Sequence, residues 1–340
     1  MQIVKETIVS VFKYLFFLAL GIGLLFFAFR NINLTDLWEE LKTANYWWFL
    51  AAIIIAVISH VFRALRWNML IAQMGYKTRT STTFYSVMMG YLANLVLPRL
   101  GEITRCGFLS KKENIPFNTL FGTVIAERVF DLVVLFFIIS MVILTQIEKI
   151  GGFLDEILVK PLLGFYSGKE LAILIVILLF FLFLFLAYLF FRRLKPWMKT
   201  TMLYQKIEAF IDGFVGGLRS IEKLKNKKLF LFHTFMIWFL YLLMIILPFY
   251  AFAETSHLKF LDGLTVLGIG SLGIVAPVPG GIGSYHFIIT EMLSQLYNIP
   301  IKAAAAYATA NHAAQTLMIV VVGLISYILL ILGKTKARNE

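Results

Sequence analysis

Apolar runs long enough to cross a bilayer alternate along this chain with short polar connections. A crossing takes about 20 mostly apolar residues. Six segments meet that length: 11–29, 46–65, 117–145, 170–191, 229–253 and 303–332. Each is read as a helix, because a backbone in lipid must satisfy its own hydrogen bonds. Two further apolar stretches, 81–98 and 263–283, are interrupted by Gly and Pro. The pattern predicts an all-α, polytopic membrane bundle: about six full spans and two broken, re-entrant hairpins (81–116 and 263–299) in one domain, 1–340. The first apolar run continues past the small residues Ala19 and Gly21 through Phe29, which favours an uncleaved helix over a signal peptide.

Segment 200–228 has a different period. Ile207, Phe210, Ile211, Phe214, Leu218 and Ile221 recur at helical spacing, with Glu208, Asp212, Arg219 and Lys223 on much of the other face. This reads as a helix lying on the cytoplasmic surface, either against anionic headgroups or as a solvated connector packed on the bundle.

Composition sharpens the class. The chain is 60% hydrophobic and only 15% charged, against about a quarter charged in soluble domains. Its net charge of +12 is explained without nucleic acid, since membrane proteins retain Lys and Arg in cytoplasmic loops. Of the 31 Lys and Arg, 23 fall in the N-tail, 63–80, 99–112, 192–228 and the C-tail, and seven in the alternate connections. The asymmetry places both termini in the cytoplasm of a plasma (inner) membrane protein. It also makes 81–98 enter and return, because both its flanks are basic. The lone Cys106 excludes an internal disulfide and a cysteine metal cluster. No metal or cofactor motif is present, and none is expected.

The two breaks carry the candidate chemistry. The first is YLANLVLPRLGEITR, residues 91–105. Arg99, Glu102 and Arg105 are spaced for one face of a short helix after Pro98. Two arginines beside a helix break suit a phosphate, with Glu102 holding them in place. Asn94 and Arg63 complete this candidate phosphate- or lipid-binding set. Arg63 and Arg66 also suit snorkelling from the end of the second span, Arg66 more so because it precedes Trp67.

The second break is GIVAPVPGGIGSYHF, residues 273–287. Pro277, Pro279, Gly280, Gly281 and Gly283 cannot continue a helix, and backbone left unpaired at membrane depth needs shelter in protein or a wet cavity. His286 and Glu291 follow. Each break precedes a long apolar helix bearing polar residues: Glu127, Arg128 and Asp131 in one, Asn311, His312 and Gln315 in the other. At ~1.5 Å per residue both groups fall ~12–15 Å deep, near the middle of a ~30 Å core. Ionisable groups there are costly and mark functional candidates. The alternative is a structural ion pair of Glu127 or Asp131 with Arg99 or Arg105. Interrupted segments in the two halves, entering from opposite faces, are a pattern of inverted-repeat transporters.

Together, RALRWNMLIAQMG (63–75), GYLANLVLPRLGEITR (90–105), AERVFDL (126–132), APVPGGIGSYH (276–286) and NHAAQT (311–316) resemble the transmembrane domain of lysylphosphatidylglycerol synthases, the flippase-like or UPF0104-type family. The resemblance covers nearly the whole chain. It implies a helical membrane protein that translocates or presents a phospholipid or polyisoprenoid-linked lipid, passively or coupled to an ion. The partners implied are that lipid and a separately encoded glycosyltransferase or lipid synthase. Full-length synthases continue into a soluble aminoacyl-transferase domain. Here Lys334–Glu340 follow the last predicted helix, so that enzymatic activity is not expected. Many relatives have an acidic residue soon after GGIG. This chain has Ser284, Tyr285 and His286, so either His286 replaces the carboxylate or Glu291 stands unrelated to it. The competing reading is a transferase in lipid-linked glycan or aminoacyl-lipid synthesis. It lacks an Asp-rich metal motif or a nucleophilic triad at a useful spacing.

Overall fold

The computed structural model describes residues 19–30, 32–98, 100–154, 224–275 and 278–333. These residues form helices and connections with no strand among them. In chain order the helices are α1 (Ala19–Phe29), α2 (Leu34–Thr43), α3 (Tyr46–Gln73), α4 (Thr80–Val96), α5 (Gly101–Glu113), α6 (Phe117–Leu154), α7 (Lys227–Phe249), α8 (Phe260–Val275), α9 (Ser284–Tyr297) and α10 (Ile301–Leu332). A short 3-10 turn, Pro279–Gly281, joins α8 to α9. Contacts divide the chain into one compact unit of residues 1–145 and 217–340 and another of 146–216. Both polar sites treated below lie in the first unit. Of the second, only the end of α6 is described, beyond non-helical backbone at Gln146.

Four helices among the described residues are long and apolar enough to cross a membrane: α3, the 117–146 part of α6, α7 and α10. They correspond to four of the six predicted spans. The predicted span 170–191 and the surface helix up to residue 223 lie outside the described residues, as do Arg99, Pro277 and the tail from Lys334. Large apolar side chains on the outer face of α6 remain exposed, Phe136 and Phe137 by about 70% and Leu144 by 79%. Lipid, not water, suits such a surface.

Two departures from the predicted boundaries matter. Residues 34–43, expected as connection, form α2, which bends 81° from α1. Asn33 starts it by accepting a hydrogen bond from Thr35 N at 2.9 Å. Leu37 and Glu40 are buried while Leu34 and Trp38 stay exposed. Second, α3 runs to Gln73, well past the predicted end at 65. Arg63 and Arg66 therefore lie inside a helix and not at its mouth.

Both breaks fold as helix–turn–helix units. α4 has 17 residues and α5 has 13, so each spans at most ~25 Å, short of a ~30 Å core. The two pack closely because glycines face each other. A Cβ on Gly90 would sit 2.8 Å from Gly101 O, and one on Gly101 would strike Gly90 O. Asn94 Oδ1 accepts a hydrogen bond from Gly101 N at 2.7 Å, which satisfies the first amide of α5 from a side chain of α4. In the second helix–turn–helix, α8 and α9 have 16 and 14 residues and meet at Gly270, where a Cβ would lie 3.0 Å from Ile289 Cδ1. The intervening turn needs glycine: φ is +59° at Gly280, +73° at Gly281 and +85° at Gly283. The tip of the α4–α5 pair touches this turn, with Leu95 Cδ2 3.0 Å from a Cβ built on Gly280.

Candidate functional site: a buried arginine–carboxylate cluster beside a cleft

Glu127, on α6, is wholly buried and has three arginines around it. Arg63 Nη2 lies 2.7 Å from Oε1, Arg66 Nη2 3.4 Å from the same oxygen, and Arg105 Nη1 3.1 Å from Oε2. One turn along the same face, Asp131 completes the pairing: Arg66 Nη2 reaches Oδ1 at 2.7 Å and Arg63 Nη2 reaches Oδ2 at 3.2 Å. Two helices thus interlock through i, i+3 arginines on α3 and i, i+4 carboxylates on α6. Neutral donors and acceptors fill the remaining geometry. Arg63 Nη1 donates to the hydroxyls of Tyr91 and Tyr241, both at 2.9 Å. Arg66 Nη1 donates to Thr234 Oγ1 at 3.2 Å. Trp67, also buried, donates from Nε1 to Thr123 Oγ1 at 2.9 Å and places its ring 4.7 Å beneath the Arg105 guanidinium.

At the rim, Arg128 pairs with Glu102 at 3.2 Å and stands 3.7 Å from Asp131. The cluster therefore sets four guanidinium groups against three carboxylates. A narrow cleft adjoins it, lined by Arg63, Val87, Gly90, Tyr91, Asn94, Gly101, Glu102, Arg105 and Arg128. Arg105 is 97% buried, yet its Nε and Nη2 have no partner. A buried guanidinium edge without an acceptor is costly, and here it borders an opening. Val96, Leu97, Leu100 and Ile103, around the tip of the α4–α5 unit, are exposed apolar residues. An anionic head with an apolar tail matches this combination of donors and apolar rim.

The residues singled out from sequence fall at two places in the structure. Arg63, Asn94, Glu102, Arg105, Glu127, Arg128 and Asp131 gather at the first. Asn311, His312 and Gln315 sit on α10 beside the second break, and no hydrogen bond or ion pair joins the two groups among the described residues. Asn311 Nδ2 donates to the Tyr285 hydroxyl at 2.8 Å. His312 Nε2 donates to Gly280 O at 2.9 Å, and its ring centroid lies 4.7 Å from that of His286. Pro279 and Gly281 are buried in the turn, and Gly283 is pressed against the α1 backbone at Gly21. Glu291 stands apart, accepting a hydrogen bond from Gln295 Nε2 at 2.7 Å.

Three expectations need correction. Arg66 does not snorkel: it is 0% exposed and bridges Asp131 and Glu127. Glu102 pairs with Arg128, while Arg105 pairs with Glu127 instead. Arg63, Arg66 and Arg105 are internal, so they drop out of the count of cytoplasmic loop charges. Tyr91, Tyr241, Thr234 and Trp67 were not singled out. Tyr241, in an aromatic-rich span, carries no sequence signal that separates it from its neighbours. Trp67 and Tyr91 sit inside the quoted motifs and were legible there.

The fold and this site define a multi-pass helical membrane protein organised around an interior ion-pair cluster. The profile of the family described as "Lysylphosphatidylglycerol synthase TM region" matches residues 14–323, and the chain belongs to that family. It is similar over 97% of its length to a UPF0104 membrane protein of Methanocaldococcus jannaschii, at 25% identity and covering 96% of that protein. A second UPF0104 membrane protein of that organism is 30% identical over 64% of this chain and 84% of its own. The chain is also 24% identical to Glycosyltransferase AglD of Haloferax volcanii, across 85% of this chain and 50% of that protein. No solved structure matches.

Proposed function

We propose that this protein translocates a phosphate-bearing lipid, a phospholipid or a polyisoprenoid-linked lipid, between membrane leaflets. The observation that carries the reading is the free, buried edge of Arg105 bordering a cleft lined also by Arg63, Arg128 and Glu102, beside a cluster that holds four guanidiniums against three carboxylates. One phosphate anion against Arg105, with Arg128 at the rim, supplies the missing acceptor and offsets the excess cation. The apolar residues around the hairpin tip give the lipid tail a path that stays in the bilayer. Re-entrant hairpins entering from opposite faces, arranged as an inverted repeat, complete this reading. So does placement in the plasma membrane with both termini in the cytoplasm.

The test is reconstitution in vesicles with a fluorescent phospholipid in both leaflets and dithionite added outside. Wild type is expected to expose the inner-leaflet pool. Arg105→Gln is expected to slow this by about tenfold, the loss of one charge-assisted hydrogen bond. Equal rates in empty vesicles and with wild type refute the proposal.

The half-length similarity to a glycosyltransferase favours a second role, that of a membrane partner presenting the lipid to a separate transferase. Co-purification of such an enzyme with the detergent-extracted protein, lost when the protein is deleted from the membrane, tests it.

A further inference from the structure

The second polar group, at the PGGIG turn, is chemically unlike the first. It contains two imidazoles, a phenol and two carboxamides, and no full charge. His286 is 7% exposed with Nδ1 unpartnered, Asn311 is 3% exposed with Oδ1 unpartnered, and Gln315 Nε2 is buried without a partner. His312 is fixed by the turn. A carbonyl only accepts, so Nε2 carries the hydrogen given to Gly280 O, and Nδ1 keeps its lone pair, 3.5 Å from Thr316 Oγ1. Basic nitrogen is therefore available on both rings, whose centroids are 4.7 Å apart. At that spacing two imidazoliums repel strongly in a buried site, so the pair suits one proton.

Among the described residues, the surroundings neither fix nor neutralise that proton. The elements packed around the pair are α1, α4, α8, α9, α10 and the turn. Their charged residues are Asp262, Glu291 and Lys302. Asp262 accepts from Lys259 N, Glu291 from Gln295, and Lys302 pairs with Glu40 at 3.3 Å. Tyr285, 5.5 Å from His312 between ring centroids, is the titratable neighbour, and its hydroxyl is held by Asn311. On the side of α1 the pair meets the Phe29 ring. A metal ion would want a third His, Cys, Asp or Glu, and no such group of three occurs among the described residues.

We infer that His286 and His312 form a single-proton binding site, and that the proton held there is the ion coupled to movement of the anionic lipid. This rests on the lipid-translocation reading. The physical link is the turn itself: the carbonyl that holds His312 belongs to Gly280, and Gly280 is in contact with Leu95 at the tip of the unit that lines the cleft. A positive charge gained at the pair strengthens the hydrogen bond to Gly280 and biases the turn that the tip leans on.

Two measurements separate this inference from the reading beneath it. In nanodiscs containing protein with ¹⁵N-labelled histidine, titration from about pH 4 to about pH 9 is expected to show the two ring resonances responding together to one proton. Histidine resonances in His286→Gln and His312→Asn assign them. In vesicles, an imposed pH gradient is expected to change the wild-type fluorescent-phospholipid rate by about tenfold relative to the same vesicles without a gradient. In His286→Gln that ratio is expected to be about one. Wild type and both variants giving the same ratio overturns the coupling, and histidines that stay neutral throughout the titration overturn the site. If wild type moves no lipid at all, the lipid reading and the coupling both fail, while the titration still decides whether the pair takes a proton.

Discussion

Replacing Glu127 by Gln tests whether the cluster is held as one electrostatic unit. The substitution keeps shape and volume but removes the charge that three arginines share, at 2.7, 3.1 and 3.4 Å. It also turns an amide NH₂ toward a guanidinium, donor against donor. The cluster then sets four cations against two anions, and Arg105, paired among the described residues with Glu127 alone, loses its partner while 97% buried. Breaking a buried pair by removing one partner costs about 3–5 kcal/mol. Arg105→Gln should cost less, because Glu127 keeps Arg63 and Arg66. The double variant should recover part of the loss, with a coupling energy of about 0.5–3 kcal/mol. Reversible unfolding of wild type, both single variants and the double variant in mixed micelles measures all four terms. A Glu127→Gln variant within about 1 kcal/mol of wild type, or strict additivity in the cycle, refutes the account.

Further outcomes follow from individual contacts. Gly101→Ala places a methyl on the Gly90 carbonyl and the Asn94 amide, so the α4–α5 contact must open, at about 1–3 kcal/mol; faster cysteine cross-linking loss between residues introduced at 87 and 108 reports the opening. Trp67→Phe removes the donor to Thr123 and weakens the ring beneath Arg105, lowering unfolding free energy by about 1–2 kcal/mol in the same micelles. Arg128→Ala should leave stability within about 1 kcal/mol, since its side chain is 40% exposed, yet weaken binding of a short-chain phosphatidylglycerol about fivefold by calorimetry.

The sequence exposed the parts of this fold that follow from one-dimensional rules. Four spans stand out by length and apolarity, and the Gly-Pro breaks announce both interrupted units. Glu127 and Asp131 were visible because charge deep in an apolar run has no cheap explanation. The pairing of Glu127 with Arg105 was among the sequence alternatives, and the structure has it at 3.1 Å; what sequence could not supply was that Arg63 and Arg66 also answer these carboxylates. Arg63 and Arg66 look like the polar end of a span, because a hydropathy window stops at charge. In the structure α3 simply continues to Gln73, and the carboxylates of α6 make that continuation tolerable. The error therefore has a physical form: a charge was assigned to water because its partner lies more than 60 residues away. Tyr241 and Thr234 were hidden for the same reason, being ordinary residues of α7 until α3 packs beside them. The split into two polar sites was equally out of reach, because equal depth along two helices says nothing about the distance between them.

That split bears on how a translocation cycle would be built. The ion pairs tie α3 to α6 and reach α5 through Arg105, and such a network resists small displacements because leaving a charge unpaired is expensive. The second site has no such penalty: its members are neutral, several of its polar atoms lack partners, and its turn rests on positive-φ glycines. Between them stands the last stretch of α4. Tyr91 and Asn94 line the cleft, Leu95 meets Gly280, and Leu92 meets Gly323 on α10 at 3.2 Å from a Cβ built there. A change at the turn must therefore either be absorbed by α4 or move Asn94, and Asn94 is the residue that caps α5. On the proposed path, the stiff element holds the phosphate and the soft element changes state, with a single helical turn carrying the displacement from one to the other.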